Sequence, residues 1–192
     1  MEKYKDTAKL VEEGETEKAL ENYNQILTDL KRGLSAQVAK QKESLELEQQ
    51  KQELRQQVAY GVAELYYKGK DYQRGLQHLD QMLSRPQELS AEAKFNFRLL
   101  KGKSHDMLGD YRAAAEVFAG NLKEYVQNIV EQGAATDAQQ REVGNLEFRY
   151  GWSLIRSKQD IEQGVQQLRE AEKKMPENQD LKVKLAQILF QE

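Results

Sequence analysis

Apolar positions recur along this chain at helical spacing, and polar turns interrupt them. Ala19, Leu20, Tyr23, Ile26, Leu27 and Leu30 mark one buried face of a helix. A second stripe runs through Val58, Val62, Leu65 and Tyr66, and a last one through Leu181, Val183, Leu185, Ile188 and Leu189. The pattern predicts helices over residues 2–12 and 16–32, with Gly33 ending or bending the second. From Ser35 to Lys68 only Gly61 interrupts good helix formers, so one continuous helix of about 50 Å is expected there. Its first half, Lys40 to Leu54, is strongly polar. Asp71 starts the next helix, which stops near Ser84-Arg85-Pro86. Ser90 caps a helix reaching Met107, and Asp110 opens one reaching about Glu131. Thr136-Asp137-Ala138-Gln139 is a capping box for a helix lasting to about Ser157. Asp160 and Asn178 are the caps of the last two.

The turns repeat. Glu13-Gly14-Glu15, Gly69-Lys70-Asp71, Leu108-Gly109-Asp110 and Lys158-Gln159-Asp160 each precede a small residue, respectively Ala19, Gly75, Ala114 and Gly164. Four residues after these lie Tyr23, Leu79, Phe118 and Leu168, all large and apolar. Nine before lie Leu10, Tyr66, His105 and Ile155, and twelve before lie Thr7, Ala63, Gly102 and Trp152. A small residue lets two antiparallel helices approach, and the residue one turn later fills the space beside the contact. Pro176 punctuates the last copy.

These positions resemble the tetratricopeptide repeat (TPR), a helix-turn-helix unit of about 34 residues. The likeness is best in the third copy, through Gly102, Gly109, Tyr111, Ala114 and Phe118. It implies an all-α, TPR-like solenoid of antiparallel helical hairpins with about nine helices, folded as a single domain over 1–192. The units fall at about 1–33, 56–89, 95–128 and 145–178, with a capping helix over 179–191. The small residues lie 56, 39 and 50 apart, so the spacing is irregular. The excess lies in insertions at about 34–55 and 129–144, as lengthened helices or added loops. The segment 146–165, with Leu146-Glu147-Phe148-Arg149-Tyr150-Gly151-Trp152, is also similar to the first repeat of the tail-anchored mitochondrial outer-membrane fission protein.

In the repeat family one face of each first helix lines a concave groove. Carried over, that face comprises Gln57, Tyr60, Glu64, Tyr67 and Lys68 in the second unit. In the third it comprises Asn96, Leu99, Lys103, Asp106 and Met107, and in the fourth Arg149, Ser153, Arg156 and Ser157. The partner-binding set expected is Tyr60, Glu64, Tyr67, Lys68, Asn96, Lys103, Arg149 and Arg156. It mixes aromatic and basic residues, as a peptide groove does. The two-carboxylate clamp of some family members needs lysine and asparagine where this chain has Tyr60/Glu64 and Leu99/Lys103, so that clamp is not expected.

Composition narrows the function. Charged residues make up 32% and prolines number two, which suits helices with wide solvated faces. A net charge of −3 gives no general attraction to nucleic acid. Without cysteine there is no disulfide frame, thiol nucleophile or thiolate metal site. His78 and His105 stand in different units and make no metal spacing, and no phosphate loop or nucleophile elbow is present. No apolar run is long enough to insert in a membrane. The sequence therefore predicts a cytoplasmic, non-enzymatic scaffold or adaptor that needs no cofactor and no metal. Its partner is a protein or peptide, held in the concave groove as a peptide or helix. Two alternatives are a structural subunit packing through the helix 35–68, and a membrane-associated, fission-type adaptor lacking its anchor.

Overall fold

The computed structural model describes residues 2–13, 15–37, 45–133 and 135–189. Among them are nine α-helices and no strand. They are α1 (Glu2–Glu12), α2 (Thr16–Gln37), α3 (Leu45–Lys68), α4 (Tyr72–Leu83), α5 (Ala91–Met107), α6 (Tyr111–Gln132), α7 (Asp137–Ser157), α8 (Ile161–Lys174) and α9 (Gln179–Leu189). A single 3-10 turn, Pro86–Glu88, joins α4 to α5. The chain forms two compact units, Met1–Phe97 and Arg98–Glu192, with the division inside α5.

The predicted caps are in place, because each supplies an oxygen to an otherwise unsatisfied first-turn N–H. Asp71 accepts from the Arg74 amide at 3.3 Å, Ser90 from Ala93 at 3.1 Å and Asp110 from Ala113 at 3.2 Å. Asp160 accepts from Gln163 at 2.8 Å and Asn178 from Leu181 at 3.1 Å. Thr136 and Gln139 complete a reciprocal capping box. The turns share a second device. Lys70, Gly109 and Lys158 take up left-handed backbone. The amide that follows each of them reaches back five residues, from Asp71 to Tyr66, from Asp110 to His105 and from Gln159 to Leu154. In the first two turns the capping aspartate comes directly after the left-handed residue. In the third, Gln159 intervenes before Asp160, so this turn is one residue longer.

In the first unit α1 packs on α2, α2 on α3 and α3 on α4. Ala19, Tyr23, Ile26, Val58, Val62 and Leu65 form its core, with Tyr66 packed at the margin. The small-residue rule operates here: a Cβ on Gly75 would lie 3.3 Å from the Tyr66 Cβ. In the second unit α6 packs on α7, α7 on α8 and α8 on α9. Leu168, Ala171, Met175, Leu181 and Leu185 form a core that α9 closes. The half-buried Lys174 ammonium donates to both oxygens of Glu147, at 2.8 and 2.9 Å. Burial pushes the Glu147 carboxyl above its ordinary value, and Lys174 pulls it back.

The continuous helix expected over 35–68 is not formed. Residues 35–37 end α2, which runs through Gly33, and α3 starts at Leu45 and packs back on α2. A helical glycine costs about 1 kcal/mol, which the packing of a 22-residue helix outweighs. The helices beside the expected insertions are long, with 22 residues in α2, 24 in α3 and 22 in α6. Residues 38–44 of the first expected insertion lie outside the described residues.

His78 links α4 to α3. Its Nε2–H donates to the Ala59 carbonyl at 2.9 Å, and burial holds its pKa below the ordinary 6.5. At pH values just under 6.5 the unfolded chain binds a proton that the folded chain refuses. The stability due to this group is therefore complete above 6.5 and is lost as pH falls through the lower folded value. Thermal melts over a pH series should show a steeper acid loss in the native chain than in His78→Gln, whose amide can still donate to Ala59. Parallel losses would contradict this.

Candidate interaction faces

The first unit carries a cleft of about 410 Å³ between α3 and the start of α5. Tyr60 and Phe97 form its aromatic wall, their rings stacked at 5.9 Å between centroids and 11° between planes. Gln57 and Asn96 line the same space. The rim is fixed by amides. Gln52 and Gln56 donate to the Glu88 carbonyl at 2.7 and 3.1 Å, and the Ser90 hydroxyl donates to the Gln56 oxygen at 3.0 Å. Pro86–Glu88 is thereby tied to α3 at the edge of the cleft. Burial, with the nearby Glu64 charge, raises the Tyr60 phenol above its ordinary value, so it stays a neutral donor.

Three expected residues of this face sit further along α3. Glu64 and Lys68 pair with one another at 3.8 Å across one helical turn. Tyr67 is half-buried and meets the Tyr72 ring edge-on at 5.5 Å. The structure thus brings Tyr60 together with Asn96, and sets Glu64, Tyr67 and Lys68 beyond the cleft on α3.

The second unit has a face built from the end of α5, the start of α6, α7 and α9. The Arg156 guanidinium donates to the Tyr111 hydroxyl. It lies 4.5 Å from the Tyr111 ring centroid and 5.9 Å from that of Trp152. The Lys184 ammonium lies 5.1 Å from the Trp152 ring and 5.8 Å from Phe148. Cations over aromatic faces keep a favourable electrostatic contact while their edges remain able to donate. Asp106 is half-buried beside them. Burial pushes its carboxyl above the ordinary value, while Arg149, Arg156 and Lys184 pull it down. Lys103, also expected here, is half-buried in α5.

The buried stripe of α7 is broader than those of the other first helices. Val58, Ala63 and Leu65 are buried 17, 12 and 10 residues before Gly75. Phe97, Gly102 and Ser104 are buried at the same distances before Ala114. In α7, Glu147 and Leu154 are buried 17 and 10 residues before Gly164, and Leu146, Gly151 and Ser153 are buried beside them. Gly151, not Trp152, faces the Gly164 carbonyl, while Ile155 packs beside Gly164 as expected. Ser153, expected on the exposed face, is 1% exposed, and Arg149 is half-buried. Phe148 and Trp152 take up the face instead. Together with Tyr111 and Lys184 they are the residues that sequence reasoning missed.

No family model matches the chain, and no curated protein matches it. Solved structures do. The nearly identical TPR-like repeats of a kinesin light chain from Podosopora anserina align over 97% of this chain and 92% of theirs, at 12% identity and a TM-score of 0.52. A variant of that protein aligns over 97% and 91%, at 13% identity and a TM-score of 0.53. The fold is therefore a TPR-like helical repeat. No helix among the described residues is long and apolar enough to cross a membrane.

Proposed function

We propose that this chain is a non-enzymatic protein-interaction scaffold whose first-helix faces hold segments of a partner. The observation that carries this reading is the cleft at Tyr60 and Asn96, two positions the repeat pattern assigns to a binding face. A 410 Å³ space with an aromatic wall and an amide rim suits one large side chain and the peptide groups flanking it. The aromatic–cation face of the second unit adds a contact of different chemistry. Tyrosine, tryptophan and arginine are the residues that most often dominate binding energy.

A peptide selected against the full chain from a random display library tests this. Tyr60→Ala should weaken its binding about tenfold or more, which is the effect of losing roughly 1.4 kcal/mol. Lys173→Ala, on the exposed flank of α8, should bind like the native chain. Equal affinity for native chain and Tyr60→Ala would show that recognition lies elsewhere.

A further inference from the structure

The carboxylate of Asp106 lies among three cations, yet its buried Oδ1 has no hydrogen-bond partner. Arg156 and Lys184 also contact neighbouring groups. Arg156 is held by the Tyr111 hydroxyl and by the rings of Tyr111 and Trp152. Lys184 lies 2.6 Å from Asp180 and rests over Trp152 and Phe148. Arg149 stands one and two helical turns from Trp152 and Arg156 on the same side of α7. The face thus has more positive than negative groups, and its long cationic side chains are propped by aromatic rings. The guanidinium of Arg156 has five donors, and the Tyr111 hydroxyl takes one.

We propose that this face seats an acidic side chain of the partner between Arg149, Arg156 and Lys184, displacing Asp106 as their counter-ion. The inference rests on the scaffold reading and names the chemistry of one of its contacts. A carboxylate with apolar neighbours fits, because the guanidinium fork meets it in two directions while Phe148 and Trp152 cover the flanking residues. A nucleic-acid backbone fits less well, since Asp106 and Asp180 stand within the cluster and the chain is net acidic. Asp106 then acts as an internal competitor that weakens binding in proportion to its charge.

Trp152 is the only tryptophan in the chain, so its fluorescence reports this face alone. The full chain is titrated with a blocked six-residue peptide of alternating leucine and glutamate, with its leucine–glutamine analogue, and with inorganic phosphate. The glutamate peptide should give a saturable change below roughly millimolar concentration, and the glutamine peptide should bind at least about tenfold more weakly. Arg156→Glu should abolish the response, and Arg156→Gln should weaken it. Asp106→Asn should tighten binding about three- to tenfold, the effect of removing one nearby charge at a partly solvated site. Equal binding of both peptides, no saturable response, or saturation by phosphate at the same concentration would each overturn the acid seat. So would weaker binding by Asp106→Asn, which would make Asp106 a direct acceptor for the ligand. Failure here, with library-selected peptides still sensitive to Tyr60→Ala, would remove the acid seat and leave the scaffold standing.

Discussion

Gly151→Ala should lower the stability of the chain by about 3 kcal/mol, a fall of roughly 6–12 °C for a cooperative fold of this length, read in a Trp152-detected melt. Its Cβ would lie 2.6 Å from the Gly164 carbonyl oxygen, 2.9 Å from the Gln167 Cβ and 3.2 Å from the Leu168 amide nitrogen. Two of those three atoms are backbone, so no rotamer change relieves the clash. Only separation of α7 from α8 would, and Leu168 and Ala171 are fully buried in the core beside that contact. The contact is reciprocal: a Cβ on Gly164 would lie 2.8 Å from the Gly151 oxygen. The helix-propensity gain of alanine over glycine, about 1 kcal/mol, works the other way and is the smaller effect. Gly120→Ala is the control. It lies within α6 with nothing within 4 Å, so the propensity gain should appear alone as a slight stabilisation. A Gly151→Ala melt at or above the native one would contradict the α7–α8 register.

Gly102→Ala should be destabilising by about 2–3 kcal/mol for a different reason. Its Cβ would lie 2.4, 2.7 and 2.8 Å from three atoms of the Phe118 ring, which is 1% exposed. The obstacle is a side chain, so trimming it should help. Phe118→Leu alone leaves a void and costs stability, yet the double variant should lose less than the two single losses combined. The coupling should fall in the range of about 0.5–3 kcal/mol, read from denaturant melts of all four chains. Additive losses would mean that Gly102 and Phe118 are not the facing pair.

That pair was readable in the sequence. Gly102 and Phe118 occupy fixed offsets from Ala114, and short-range hairpin contacts follow from such offsets. The caps at Asp71, Ser90, Asp110, Thr136, Asp160 and Asn178 were readable too, because capping depends on one side chain and its nearest amides. The reversal between α2 and α3 was not. Residues 35–68 contain good helix formers throughout, and propensity does not reveal where packing on α2 turns the chain back.

The candidate faces were legible in proportion to how local they are. Tyr60 and Asn96 belong to helices whose register follows the small-residue rule, and they meet at one cleft. In α7 the buried stripe is wider, so Ser153 is buried while Trp152 stays half-exposed beside the cations. Lys184 arrives from α9, whose pattern read only as a cap for the core. Its place over Trp152 depends on tertiary packing that no single-helix pattern encodes.

The central claim is that recognition uses the first-helix faces of both units. Amide chemical-shift mapping of the full chain, saturated with a library-selected peptide, tests it most directly. The account predicts that the largest changes fall around Tyr60, Gln57 and Asn96 in the first unit and around Trp152 and Arg156 in the second. Changes confined to the exposed faces of α4, α6 and α8, around Gln73, Lys123 and Glu162, would contradict it.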